Sequence, residues 1–456
     1  MGILHGKKRI LLLAMAMLII LIILVIASSL WSIFHTSGEK EKQTEINIYN
    51  CFGSYSSKNI ALSDIIENYS EKTPNVRISN TSIPTENFYT KLQADFSANC
   101  GADIIIAPPS YDILQLYKRG FIASIDEEFT KDTEWAETFD RNILRFVTDN
   151  DSIYGLPTDV EYILLFYNTE TFKRYGLEPP KSYEDFKNDV SALAKTDSIP
   201  IAFTPNDTDL YLYQILTSML GNYDYSSNED GKLGAEYADA MSYMKELYSL
   251  GAFPKNYENL NKGEANNLFL SGSAAMIAAP SSFVNDIVQY ADTDGGDYTK
   301  YINRFGVIPF PSENSLNRTT NSGFFTVAYN AGEFTVFISK NAYEKKYDEI
   351  MDFVKYLTKP EALRVYLAQT NDIISIKNIE NKEYKNPLIT NCKIAAENAT
   401  KFTSMPIDAT YRYIWKNHMC KNIPMIFRGL TDCNDIIKEI NSLSAFTDYT
   451  KGTEQN

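Results

Sequence analysis

Residues 102–107, Ala-Asp-Ile-Ile-Ile-Ala, form a run that is apolar on both faces and is closed by Pro108 and Pro109. A strand without a polar face is stable in water only when helices cover it from both sides, as they do a parallel strand buried in an α/β layer. From Glu45 onward the chain repeats this theme, alternating short apolar runs with amphipathic helical patterns. Residues 46–49 predict a first strand, followed by a loop over 50–54. Leu62, Ile65, Ile66 and Tyr69 recur at i, i+3, i+4 and i+7 and so share one helical face. Ser182 and Asp185 are spaced as a capping box ahead of the stripe Tyr183, Phe186, Val190 and Leu193. A strand is predicted over 199–203, and Tyr237, Met241, Met244 and Leu247 make another stripe. Gly251 follows it where a helix C-terminal glycine is favoured. Further strands are predicted at 274–279, 305–308 and 334–339. A helix carrying Ile350, Phe353, Val354 and Leu357 stops before Pro360.

With 456 residues, 44% of them apolar, the chain has material for at least two lobes at the usual ~100–200 residues per domain. Its 43 basic and 58 acidic residues leave a net charge of −15. Nucleic acid is therefore excluded as a partner, because phosphate neutralisation needs clustered Lys and Arg.

Lys7, Lys8 and Arg9 precede an uninterrupted apolar run over residues 10–27. Positive charge before such a run marks an export segment with its N-terminus inside. Residues 1–35 read as a signal peptide or a transmembrane signal anchor. The run exceeds the ~7–15 residues of a cleavable peptide, which favours the anchor. Residues 36–44 form a charged tether, and all that follows lies outside the cytoplasm. None of the five cysteines, Cys51, Cys100, Cys392, Cys420 and Cys433, directly follows the run where a lipid anchor would need it. An odd number leaves at least one thiol unpaired, and free buried thiols are the expectation.

Several chemistries lack their minimum parts. His5 and His35 fall in the export region, so His418 is the only imidazole of the folded body, expected as a surface or satisfied core residue. No metal site and no cofactor are predicted, for there is no CxxC pair, no GxxxxGK[ST] loop and no GxGxxG fingerprint. The acidic clusters at 228–231 and 292–297 do not match the spacing of a calcium loop and read as solvated turns. A glycan-cleaving enzyme needs only two carboxylates at the right separation and stays open as the alternative.

The order of segments resembles the family 1 extracellular solute-binding proteins, the group that includes the maltose-binding protein. The resemblance covers residues 46–446 and rests on five motifs in sequence order. Tyr89-Thr90-Lys91-Leu92 through Gly101-Ala102-Asp103-Ile104-Ile105 is similar to the family's helix-then-strand, and residues 116–126 to the turn that follows it. Tyr154-Gly155-Leu156-Pro157, with Phe166-Tyr167-Asn168 and Pro179-Pro180-Lys181-Ser182-Tyr183-Glu184-Asp185-Phe186, resembles its most specific signature. Phe269-Leu270-Ser271-Gly272-Ser273-Ala274-Ala275-Met276 resembles a further element, and residues 305–311 the strand returning toward the first lobe.

The resemblance implies a two-lobed, type II periplasmic-binding-protein-like α/β fold without catalysis. It divides the chain into lobe 1 (45–155 and 307–372), lobe 2 (156–306, with C-terminal helices over 373–446) and a tail at 447–456. It implies a monomer that takes a small solute, expected to be a mono- or oligosaccharide, and passes it to the permease subunits of an ABC importer. A ligand-presenting sensor is a second alternative. Gly155 and Pro157 set a bend where a hinge can absorb closure. Family ligands lie between the lobes, on loops that follow strands. Carried onto this chain, that implies Phe52, Ser54 and Tyr55 after the first strand, Ser110 and Tyr111 after the second, and Glu161 in the crossing strand. It further implies Asp207, Asp209 and Tyr211 after the strand at 199, and Ser282 and Phe283 after that at 274. Glu161 matches a sugar-contacting Glu of the maltose-binding group. Ala107, Ser110 and Tyr111 stand where that group carries Trp, Asp and Arg, and Ser282 stands near its stacking Trp, so maltose is not implied. The 31 tyrosines lead us to expect an aromatic lining.

Overall fold

The computed structural model describes residues 17, 19–28, 43–207, 209–221, 233–293, 298–312, 324–377, 379–405 and 415–443. The tether up to residue 42, the acidic cluster at 228–231, most of that at 292–297, and the tail at 447–456 lie outside these residues, as do His5, His35 and most of the export segment.

Two sheets organise the body. In the first, the strands run in the order Val76–Ser82, Thr44–Asn50, Ile104–Ile106, Thr335–Ile338, Leu156–Pro157. The first three are parallel, and Thr335–Ile338 runs against both of its neighbours. All three isoleucines of Ile104–Ile106 are fully buried, as a run with no polar face requires. The helix Ser57–Ser70 covers this sheet with Leu62, Ile65, Ile66 and Tyr69. Ser56 caps it, accepting from the Asn59 amide.

The second sheet is built around the ten-residue strand Asp159–Asn168. Phe325–Ala331 and Phe305–Ile308 pair antiparallel to it, as does Ala274–Pro280, which carries Ile199–Ile201 on its far side. Side chains alternate across a pleated strand. Val160, Leu164 and Phe166 accordingly enter one apolar core, and Ile163 and Leu165 the other. Each such side chain contributes roughly 1.5–3 kcal/mol on burial, which commits the strand to a position between two helical layers. One of these layers includes the helix Tyr183–Leu193, which buries Tyr183, Phe186, Val190 and Leu193. The box at its start is half formed. Ser182 accepts from the Asp185 amide, but the Asp185 carboxylate takes the amide of Lys181 at 3.2 Å. Gly251 follows the helix Ala235–Ser249 with φ +80°, the left-handed conformation predicted for it.

The sequence-based partition is corrected at two boundaries: lobe 2 begins after Pro157 rather than at residue 156, because Leu156–Pro157 is an edge strand of the first sheet. The return to lobe 1 was expected from residue 307, yet Phe325–Ala331 is still a strand of the second sheet. The chain passes back only at residues 332–334, just ahead of Thr335–Ile338. The strand Phe305–Ile308 is short, and its pairing with residues 165–168 keeps it in lobe 2.

At the N-terminus, residues 19–28 are helical, and the apolar side chains from Ile19 to Ile26 are all exposed. Among the described residues no helix is long and apolar enough to cross a membrane. All five cysteines are free; Cys51, Cys392, Cys420 and Cys433 are buried and Cys100 is exposed. His418 is half-buried, with Nδ1 2.9 Å from the Glu439 carboxylate.

Candidate ligand cleft

Among the described residues three chain segments connect the two sheets, and they lie side by side. The first passes through Thr158, between Pro157 in one sheet and Asp159 in the other. The second is residues 332–334. The third leads into Ile373–Ile374, which pairs with Val160 and Asp159. They are stitched at Thr158, whose amide and hydroxyl donate to the Phe334 carbonyl at 3.1 and 2.5 Å and whose carbonyl accepts from the Ser375 amide at 2.9 Å. Gly332 is forced by a close approach. A Cβ there would lie 2.3 Å from the Asp159 carboxyl. Gly155 is held the same way, since a Cβ would lie 2.6 Å from the ring of Phe337. Its role is to admit that ring, because its φ is not in the left-handed region.

Beside these crossings lies a cavity of about 330 Å³, within the range of roughly 300–1,000 Å³ usual for small-molecule sites. Its floor is the crossing strand, where Asp159 and Glu161 share a face because they are two residues apart. Lobe 1 contributes Lys58, Pro108 and Pro109, and the crossings contribute Gly332, Glu333 and Asp372. Lobe 2 adds Asp209, Tyr211, Gln214, Ser281, Ser282 and Asn285, among others. Lys58 Nζ pairs with Glu333 at 2.9 Å and with Asp372 at 3.2 Å, and the Tyr366 hydroxyl donates to Asp372 at 2.5 Å. Asp159 Oδ1 accepts the Phe334 amide at 3.0 Å. Burial, reinforced by the negative charge of Asp372, raises the Asp159 carboxyl well above the usual carboxylate range, against the opposing pull of Lys58. Burial also raises Glu161, although Ser282, whose hydroxyl donates to Glu161, partly offsets it.

A second hollow of about 180 Å³ adjoins the first and shares Tyr211 and Ser282 with it. Asp207 and Phe283 line it together with Lys262 and Asp286. Lys262 Nζ holds Asp209 at 2.6 Å and Asp207 at 3.3 Å, and stands 5.0 Å from the centre of the Tyr211 ring.

The family profile described as bacterial extracellular solute-binding protein matches residues 55–363. The chain belongs to that family. This solute-binding protein is 22% identical over 333 residues to Lipoprotein LipO of Bacillus subtilis, with 69% of this chain and 63% of LipO covered, so it spans less than two thirds of that relative. To the Multiple sugar-binding protein of Streptococcus mutans it is 21% identical over 371 residues, 79% of this chain and 81% of the relative. Among solved structures, an ABC transporter solute-binding protein from Thermotoga lettingae bound with α-D-tagatose superposes with a TM-score of 0.66 at 15% identity, covering 90% of this chain and 99% of that one. That likeness shows the two-lobed fold.

Of the residues predicted for the site of this solute-binding protein, Glu161, Asp209, Tyr211 and Ser282 meet in the main cavity, and Asp207 and Phe283 in the adjoining hollow. The five from lobe 1 stand outside both linings. Phe52 is buried edge-on to Phe334 at 6.1 Å, Ser110 caps the helix Tyr111–Lys118, Ser54 is exposed, and Tyr55 is 97% exposed. Tyr111 is half-buried at the first turn of the helix that Ser110 caps. The aromatic lining is also sparser than expected, with Tyr211 the only aromatic residue among the described walls of the main cavity. Lys58, Asp159, Gly332, Glu333 and Asp372 were missed. Only Asp159 carried a readable signal, sharing strand parity with Glu161.

Proposed function

We propose that this protein is the extracytoplasmic substrate-binding component of an ABC importer, taking a mono- or oligosaccharide between its lobes and presenting the closed form to the permease. The observation that carries the reading is the polar cavity at the crossings, walled by both lobes and floored by Glu161. Only contacts from both lobes let a ligand favour the closed state, because a ligand shifts an equilibrium by its differential affinity alone. Carboxylate, amide and hydroxyl groups such as Asp209, Gln214, Asn285 and Ser282 suit sugar hydroxyls. The sugar-binding name of the Streptococcus mutans relative and the tagatose held by the Thermotoga protein support a carbohydrate. The exposed apolar helix at residues 19–28, behind Lys7, Lys8 and Arg9, supports an N-terminal membrane anchor, and the lipoprotein name of the Bacillus relative favours attachment to the outer face.

The test is a thermal-shift screen of the full chain against mono- and oligosaccharides. A ligand at a hundred times its Kd raises stability by about 2.7 kcal/mol. The shift should shrink in Glu161→Gln and Ser282→Ala. A panel without any shift, or turnover of a glycan, would overturn the reading.

A further inference from the structure

The main cavity brings together five carboxylates, Asp159, Glu161, Asp209, Glu333 and Asp372, and one basic side chain, Lys58. That cation is already engaged by Glu333 and Asp372. Asp209 is matched from behind by Lys262. Asp159 and Glu161 accept their hydrogen bonds from neutral donors, the Phe334 amide and the Ser282 hydroxyl; Lys58 acts on both only through its charge, and among the described residues neither has a Lys or Arg in ion-pair contact. The adjoining hollow adds Asp207 and Asp286 with Lys262 as its one basic group. Positive charge is what this cleft lacks.

Resting on the solute-binding reading of the same cavity, we propose that the ligand carries a protonated amine, received between Asp159 and Glu161, and that the carbohydrate is therefore an amino sugar. An ammonium group offers three donors and no acceptor, which matches carboxylate oxygens that have no cation of their own. Coulomb attraction is stronger in a desolvated cleft than in water, so the charge discriminates where a hydroxyl would not. A metal ion is the other way to supply positive charge. Among the described residues no group of three or more His, Cys, Asp or Glu could hold one.

The experiment is calorimetric titration of the full chain at neutral pH and low salt with glucosamine and its β-1,4 dimer, their N-acetylated forms, glucose, cellobiose and putrescine. The expected result is binding of the free-amine sugars at least about ten-fold tighter than of their neutral counterparts, a preference of roughly 1.4 kcal/mol. The preference should narrow at about 0.5 M salt, where surrounding ions screen the charge. It should also collapse in Glu161→Gln, whose fold is checked by its thermal transition. Equal or tighter binding of the neutral or acetylated sugars overturns the amine proposal and leaves the carbohydrate reading standing. Binding of putrescine but of no sugar upholds the cationic ligand and overturns the carbohydrate reading. Binding of none overturns both.

Discussion

Lys58 and Asp372 form an ion pair at 3.2 Å, with side chains only 16% and 5% exposed, that ties the first helix of lobe 1 to the third crossing segment. Burial alone would pull the Lys58 ammonium toward neutrality. Asp372, Glu333 and Asp159 outweigh it and hold the group well above its usual range. Removing one member of such a cluster leaves a buried charge without compensation, at a cost of about 3–5 kcal/mol. Lys58→Met is therefore expected to lower the chemical denaturation midpoint by that equivalent, and Lys58→Met with Asp372→Asn to lose less than the sum of the two single changes. Additive losses would show that the pair is not coupled.

Gly332 and Asp159 set a second constraint at the crossings. Since a Cβ at residue 332 would fall 2.3 Å from the Asp159 carboxyl, Gly332→Ala must move either the carboxylate or the backbone. Overpacking of this kind costs typically 1–3 kcal/mol. The variant should melt lower than the parent and bind ligand more weakly. Combining it with Asp159→Ala, which clears the clash, should restore most of the melting temperature. A Gly332→Ala protein as stable as the parent would show that the crossing can yield.

These two relationships mark what the sequence could and could not convey. Elements whose stability is local or periodic were legible: the stripe from Leu62 to Tyr69, the Ser182 cap, the left-handed Gly251 and the doubly apolar Ile104–Ile106 all stand where pattern placed them. Strand order was not legible, because Phe325–Ala331 joins the second sheet through pairing with residues 160–163, which no local pattern encodes. The same holds for the site. Its lobe 2 residues follow strands and could be found by that rule, whereas Lys58 sits on a helix face and Asp372 in a short connector. They meet only because three crossings converge. Phe52 was misplaced because an aromatic residue in a loop reads equally well as lining or as core, and its packing against Phe334 decides for core.

Cysteine reactivity offers a compact test of the burial pattern. Burial pushes the thiols of Cys51, Cys420 and Cys433 up to about 12, and that of Cys392 higher still. Thiolate is the reactive form, so these four should be inert while the protein is folded. Titration with a thiol reagent should count one group, Cys100, in the native protein and five in denaturant. Cys100→Ser should abolish the native reaction, and rapid native labelling of a second cysteine would contradict the packing of the lobes.

The pH dependence of stability follows from Asp159 and Glu161, both raised by burial. In the unfolded chain they titrate near about 4, the ordinary carboxylate value. Between there and their raised folded values, the native state binds more protons than the unfolded state, so these groups subtract stability as pH rises through that window. Carboxylates lowered by ion pairs, such as Glu383 beside Arg364 and Asp132 beside Lys355, act in the opposite sense. The whole-protein curve therefore mixes both, and a difference between variants isolates the cleft. Glu161→Gln keeps an acceptor for Ser282 but cannot ionise, so its melting temperature relative to the parent should be lowest near pH 4 and climb as the pH approaches 7. Melting curves collected across that range would decide it: a difference that stays flat means Glu161 ionises in the folded protein as readily as in water, and one that falls with pH means it ionises more readily, and either result contradicts a carboxyl raised by burial.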